Sequence, residues 1–437
     1  MRGIVFLPFA QSKPVHERNR FDERKARQRL KRRFYTILYK TAALLSISLL
    51  AAFHYSKPMC ALRALPQTIR ISDAQRLTEI FPASNAAALR VDAQTAERIS
   101  DVSDTLYTFR LFGRIPLKTV KVVRTDDVRL IPGGSAVGIT LHTAGVLLVG
   151  LGAVETEEGL QSPAAAAGLA AGDLIVSANG ETVQSARHFS ALSAASGGKL
   201  SLIVRRGDAT LAFTVFPVED SEEHVYRIGA WVRDSTAGVG TLSFCSAQGD
   251  RFAALGHAVS DVDTQSTLTV GSGRLLRAEI VDVIRGAAGE PGELLGVFSA
   301  DGRSIGTIEK NTEFGVFGTL ENADDLLSAE TVPMAYAYEA HLGKATLLAT
   351  VSGSEVAAFD CEITRVNTQQ SPSVKGMIVT VTDERLLSTT GGIVQGMSGS
   401  PILQDGKLLG VVTHVFVNDP TKGYCIYAEW MAEQMRK

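Results

Sequence analysis

Ser398 stands in the run Gly391-Gly-Ile-Val-Gln-Gly-Met-Ser-Gly-Ser-Pro401, between two stretches that read as β-strands, and it is the candidate nucleophile of the chain. A serine hydroxyl attacks at neutral pH only if a base removes its proton and backbone N–H groups await the oxyanion, so such a serine needs a tight, exposed turn. Gly396, Met397, Ser398 and Gly399 suit that turn. Glycine tolerates backbone angles closed to other residues, which lets the N–H groups of Gly396 and Ser398 point the same way, and Pro401 stiffens the exit. Glycine, serine and proline also make ordinary surface turns, so a base is needed to tell the two readings apart. Ala254-Leu-Gly-His-Ala258 supplies one, with His257 placed 141 residues before Ser398. Histidine first and serine later fits a two-barrel serine protease, in which each barrel contributes one of the pair and the peptide lies in the cleft between them.

Eight histidines compete for the role of base. His16 and His54 flank or enter an apolar N-terminal segment, His142 and His188 fall in a separate domain described below, and His224 sits in a polar linker. His257 follows Gly256 at the end of an apolar strand, where a side chain can be presented into a cleft. His414 alternates with apolar residues in Val-Thr-His-Val-Phe and reads as a strand residue lining the second barrel, with the role of base as its alternative. His341 has no supporting motif. For the acid that orients the base, Asp261 and Asp263 lie close to His257 in sequence, and Asp383 lies fifteen residues before Ser398. Each could equally be a surface turn carboxylate.

The elements that must position these residues are mainly β. The chain has 437 residues, a formal net charge of −2, forty glycines and many short β-branched runs, which favour strands over a helical bundle. Near-neutral charge gives no bulk electrostatic case for nucleic acid. Cys60, Cys245, Cys361 and Cys425 are scattered without C-x-x-C spacing, so neither a zinc site nor a disulfide framework is indicated. No phosphate loop, dinucleotide fingerprint or His-Glu-x-x-His occurs, and no cofactor is expected.

Taken in order, residues 1–33 end in a dense basic run, and residues 34–55 form a transmembrane anchor or signal segment. The apolar core Thr41–Phe53 is only 13 residues long, and a spanning helix of about 20 residues must include Lys40. The basic flank stays in the cytoplasm and the remainder lies outside it. No convincing small-x-small cleavage site follows, which favours an uncleaved anchor. Residues 56–125 read as a connecting region with a helical patch around 84–100 and a strand at Lys118–Val123.

Residues 126–218 have the pattern of a PDZ domain. Ser162–Gly168 reads as a short helix with Pro163 in its first turn, Gly172–Gly180 as a strand ending in a tight turn, Ser185–Ala195 as a helix, and Leu200–Arg205 with Thr210–Val215 as a hairpin. Such a domain captures a peptide as an added strand, and Val137, Gly138 and Ile139 are placed as the loop that holds its terminal carboxylate. Residues 220–437 show short strands and hairpin signals at Asp301-Gly302 and Asp405-Gly406, with short helices expected at Glu321–Ser328 and Ala428–Met435. The expected fold is thus a PDZ domain followed by a trypsin-like double β-barrel, with an N-terminal transmembrane helix.

Ala254-Leu-Gly-His-Ala-Val-Ser-Asp-Val-Asp-Thr264, Gly391-Gly-Ile-Val-Gln-Gly-Met-Ser-Gly-Ser-Pro-Ile402, Val412-Thr-His-Val-Phe-Val-Asn-Asp-Pro420 and Glu429-Trp-Met431 resemble the stage IV sporulation protein B family of signalling serine peptidases from spore-forming bacteria. The resemblance runs from the N-terminal segment to about Met431. It implies a serine endopeptidase whose catalytic residues are Ser398, His257 and, by position, Asp383. It also implies a forespore-membrane protein facing the intermembrane space, which cleaves itself and then the regulatory subunit of a membrane-embedded metalloprotease complex. Two other readings remain: a non-catalytic PDZ adaptor, against which Ser398 and His257 stand, and a quality-control protease of the HtrA type, against which the PDZ-first order stands.

Overall fold

The computed structural model describes residues 15–64, 67–72, 89–95, 105–125, 127–298, 302, 304–321, 330–367, 369 and 371–436. Helix α1 (Val15–His54) and helix α2 (Lys57–Ala64) belong to one compact unit, and a second unit holds nearly everything after residue 118. Within α1, Lys31–His54 is 24 residues long and apolar enough to cross a membrane, with none of it buried. The helix passes through Lys40 unbroken.

Strands β1 (Thr68–Ser72), β2 (Leu89–Thr95), β3 (Thr105–Leu111) and β4 (Ile115–Thr125) come next, and β1 pairs in parallel with β4 from Thr68 opposite Lys121 onward. Strand β2 falls where a helix was expected. Its sequence Leu-Arg-Val-Asp-Ala-Gln-Thr alternates with a period of two, which is a strand pattern. The rest of that expected helix lies outside the described residues.

Strands β5 (Arg129–Pro132) and β6 (Ala136–Leu151) follow, and β6 serves two domains. Its second half leads into the PDZ domain: β7 (Val154–Thr156), β8 (Gly159–Gln161), α3 (Pro163–Ala166), β9 (Leu174–Ala178), β10 (Glu181–Thr182), α4 (Ala186–Ala194), β11 (Leu200–Arg206), β12 (Ala209–Val215), β13 (Val218–Glu219) and β14 (Tyr226–Arg227). Local chemistry sets these elements. Pro163 opens α3, the Ser185 hydroxyl caps α4 by accepting from His188 N, and Asn179 with Gly180 turns the chain through two left-handed residues. Val146, Leu148, Ile175, Phe189, Leu202 and Val215 form the core.

The first half of β6 belongs to the first barrel with β15 (Ala230–Ser246), β16 (Arg251–Ala254), β17 (Val270–Ile284), β18 (Glu293–Phe298), β19 (Ser304–Thr312) and β20 (Gly315–Leu320). The ring runs β6-β17-β19-β20-β16-β15 and closes where β15 pairs with β6; β18 pairs with β17 outside it. This corrects both the expected boundary at residue 220 and the expected carboxylate loop. Val137, Gly138 and Ile139 pair with Gly240, Val239 and Gly238 on one side and with Arg277, Leu276 and Leu275 on the other. Val137 and Ile139 are buried in the barrel core with Leu141, Phe252 and Val316. A backbone paired on both edges has no N–H left for a ligand carboxylate. The PDZ domain is therefore an insertion between the first two strands of the barrel.

Strand β21 (Val332–Pro333) leads to the second barrel, made of β22 (Gly343–Ala349), β23 (Ala357–Val366), β24 (Met377–Val381), β25 (Pro401–Gln404), β26 (Lys407–Val415) and β27 (Lys422–Tyr427), closed in the order β22-β23-β24-β27-β26-β25. Helix α5 (Glu384–Thr390) lies between β24 and β25, and α6 (Ala428–Arg436) follows β27. Asp405 and Gly406 join β25 to β26 with φ of 52° and 74°, the two-residue hairpin geometry their identities favour. Residues 322–328 of the helix expected at 321–328, and Asp301, fall outside those described. The fold is mainly β, a PDZ domain with a trypsin-like double barrel, preceded by an apolar helix.

Candidate active site

Strand β16 ends in two consecutive left-handed residues, Leu255 and Gly256, with φ of 70° and 74°. They turn the chain so that His257 leaves the barrel wall. Glycine is needed at 256 for a second reason, since a Cβ there would stand 2.8 Å from Val411 and 3.0 Å from Thr413 of β26. His257 is half-buried, and its Nδ1 lies 2.9 Å from its neighbour's carbonyl, Ala258 O. That carbonyl accepts the Nδ1 proton and leaves Nε2 as a lone-pair base. Burial lowers the His257 pKa, the Ala258 bond opposing it only in part, so the ring is neutral at neutral pH.

Ser398 lies on the turn before β25. Gly396 and Gly399 have φ of 93° and 100°, and a Cβ on Gly399 would stand 2.3 Å from Thr241 O and 2.7 Å from Leu255 N. Only glycine fits there, which brings the serine turn directly against the strand that leads to His257. Gly399 N donates to Val412 O at 2.7 Å, Met397 N to Val394 O and Ser400 N to Met397 O. The N–H groups of Gly396 and Ser398 donate to no protein acceptor among the described residues, as a pair kept for an oxyanion would. The Ser398 hydroxyl, half-buried, donates to Thr413 O at 2.9 Å.

Next along β26, the His414 ring is exposed and lies 5.1 Å from the His257 ring, centroid to centroid. Partial burial, the neighbouring His257 and Lys375 all push its pKa down. Ser398 and His257 thus meet β26 at consecutive residues, the serine at Thr413 and the histidine at His414.

Asp383 is not brought to them. It caps α5: its Oδ1 accepts from Arg385 N at 2.9 Å, and its Oδ2 accepts from Asp360 N at 3.1 Å and from Arg385 Nη2 at 2.7 Å. Arg385 first, then the backbone donors, hold its carboxyl well below the usual carboxylate range against the opposing effect of burial. With both oxygens so engaged, the expectation that Asp383 orients His257 is corrected; the Ala258 carbonyl sits at that nitrogen instead. Asp261 and Asp263 do not reach the ring either. Asp261 accepts from Thr264 and Arg233, and Asp263 pairs with Arg233 at 2.7 Å. Burial would raise Asp261, but those hydrogen bonds outweigh it and keep the carboxyl low. His341 pairs with Asp405 at 2.7 Å on the surface of the second barrel.

Two functional residues escaped the sequence reading. Thr241 on β15 grips the serine turn on both sides of Met397: its Oγ1 donates to Gly396 O at 2.8 Å and its N–H donates to Ser398 O at 3.1 Å. Arg233, on the same strand, ties the loop after His257. Neither carries a local motif, because both act on residues distant in sequence.

Two barrels that jointly present a glycine-framed serine and a neutral histidine define a serine peptidase. Residues 224–432 match the model of the SpoIVB peptidase S55 family, and residues 156–206 match the PDZ domain model. Among solved structures, the chain is similar to the "HtrA-type protease AlgW with decapeptide" at 14% identity and a TM-score of 0.26, over 57% of this chain and 66% of that one. No match was found among curated proteins.

Proposed function

We propose that this protein is an extracytoplasmic serine endopeptidase, held at the membrane by α1, that cleaves itself and then a protein substrate in sporulation signalling. The substrate, on the family's pattern, is the regulatory subunit of a membrane metalloprotease complex, and the enzyme faces the space between forespore and mother-cell membranes. The basic run in the first half of α1, ahead of its apolar part, supports that orientation. The observation that carries the chemistry is the unengaged N–H pair of Gly396 and Ser398 beside a neutral His257.

In the cycle this implies, the Ser398 hydroxyl swings from Thr413 O to His257 Nε2. Nε2 takes the proton as Oγ attacks the scissile carbonyl, and the Gly396 and Ser398 N–H groups receive the oxyanion. The imidazolium, steadied at Nδ1 by Ala258 O, returns the proton to the leaving amine. Water then repeats the sequence to release the acyl group.

Fluorophosphonate labelling of the purified full-length protein tests this reading. The probe should label the native chain, and Ser398→Ala and His257→Ala should each abolish both labelling and self-cleavage. The double variant should be hardly worse than either single one, since the two residues share one proton transfer. A native chain that takes no label would instead favour the non-catalytic PDZ adaptor, and labelling that survives Ser398→Ala would place the nucleophile elsewhere.

A further inference from the structure

A segment of the chain, residues 228–234, lies between the second half of β6 and α4 of the PDZ domain. Residues 230–233 of β15 run antiparallel to β6, with Ala230 opposite Leu151, Trp231 opposite Gly150, Val232 opposite Leu148 and Arg233 opposite Leu147. An extended peptide captured by strand addition would take that place. Ile228 is buried in the PDZ core with Phe189 of α4, and Ala230 and Val232 pack on the same cluster. The segment is also pinned by backbone bonds from Ala164 N to Ile228 O at 2.8 Å and from Gly152 N to Gly229 O at 2.9 Å. At its far end the Asp234 carboxylate accepts from Ala186 N, the first residue of α4, at 2.8 Å.

This segment continues directly into the catalytic cleft. Arg233 splits its guanidinium between Asp261 and Asp263, two and four residues after Val259 in the loop that follows His257. Seven residues beyond Asp234, Thr241 holds Gly396 O and Ser398 O. One strand therefore contacts the PDZ groove, the histidine loop and the serine turn. With the groove so filled, the Ser398 hydroxyl donates to Thr413 O, and no hydrogen bond joins it to His257 among the described residues. That is a resting arrangement.

We propose that residues 228–234 are a built-in ligand of the PDZ groove, and that an extended peptide competing for the groove releases Arg233 from the His257 loop and lets Ser398 and His257 engage. The regulatory claim rests on the serine peptidase reading; the coupling of groove to loop does not. Displacement exchanges one added strand for another, so little net pairing is lost. What changes is the anchor on Asp261 and Asp263.

A reversible lock tests it. A Cβ on Gly150 would stand 3.9 Å from the Cβ of Trp231, close to the mean of about 3.8 Å for disulfides. Gly150→Cys with Trp231→Cys, in full-length protein carrying Cys60→Ser to remove the exposed native thiol, can be locked with oxidised glutathione and released with a reductant. The probe is a synthetic peptide with the sequence of residues 228–234. On the reduced protein it should speed hydrogen exchange of amides 255–269 by about tenfold and raise labelling of Ser398 alongside. The oxidised protein should respond in neither measurement. Equal responses of the two forms, or no exchange response in the reduced form, overturn the proposal. An exchange response without any labelling upholds the coupling and removes the serine peptidase reading. Asp234→Ala in the otherwise native chain repeats the test without new cysteines: the freed segment should yield to about tenfold less peptide, and an unchanged requirement overturns the proposal as well.

Discussion

Asp383 shows how one carboxylate can sit fifteen residues from the nucleophile and serve the fold instead. Its oxygens cap α5 and hold Arg385, which also donates to Ala358 O at 2.7 Å. Its folded pKa is depressed, so the stability it contributes is present above the unfolded value of about 3.9 and is lost as pH falls below it. Asp383→Asn keeps a capping residue but loses the charge pairing with the largely exposed Arg385, so it should cost up to about 1 kcal/mol in urea unfolding at pH 7, flatten the stability profile below pH 4, and leave labelling of Ser398 within about tenfold of native. A loss nearer 10⁴-fold in labelling, with stability intact, would restore Asp383 to the role of orienting acid. His257 meanwhile takes its orientation from Ala258 O, an acceptor supplied by the adjacent residue whatever the side chain there.

At the scale of the element, β15 is the strand on which the site is built. Its pairing with β6 is interrupted by irregularities at Trp231/Val232 and at Arg233/Ser235, which divide a groove-filling half from a barrel half. The pairing with β6 ends at Thr241, buried against the serine turn. Thr241→Val keeps the shape and removes the Oγ1 donor to Gly396 O. The turn then loses a bond that fixes Gly396 beside Ser398, and a displacement of even 1 Å in such a site costs on the order of 10²-fold. Labelling should slow by 10- to 100-fold on that scale while the circular dichroism of the barrels stays native. Unchanged labelling kinetics would mean that Gly399 and its contacts hold the turn unaided.

For the whole molecule, the insertion of the PDZ domain makes the two halves of β6 interdependent. Val137, Ile139 and Leu141 are core residues of the first barrel, although they precede the PDZ domain in sequence. A fragment of residues 220–437 therefore lacks one of six staves, and β15 and β17 each lose a partner along it. That fragment should show no cooperative unfolding of the first barrel by urea or heat. A chain beginning at Asp127 should unfold cooperatively; equal cooperativity of the two would contradict the insertion. The first strands add a further tie, Arg70 of β1 reaching Glu429 at 2.9 Å and Glu433 at 2.6 Å on α6.

What the sequence determined by itself was local. The turn at Gly396–Gly399, the apolar stretch of α1, the start of α3 at Pro163, the helix α4 and the Asp405-Gly406 hairpin all rest on residues within a few positions of one another, where glycine φ, proline geometry and periodicity act directly. The tertiary structure alone decided which barrel owns Val137–Ile139, because a short alternating apolar run fits a barrel stave as well as a ligand loop and only its neighbours distinguish them. The same holds for the acid: Asp383 and Asp261 have identical side chains in polar loops, and their partners, Arg385 and Arg233, settle what each one does. Thr241 lies 155 residues from the carbonyl it holds. Arg233 lies 28 residues from Asp261, across a histidine motif that gives no sign of needing it. Contacts at such separations depend on how strands register across two barrels, and register is a property of the closed sheet and not of any segment within it.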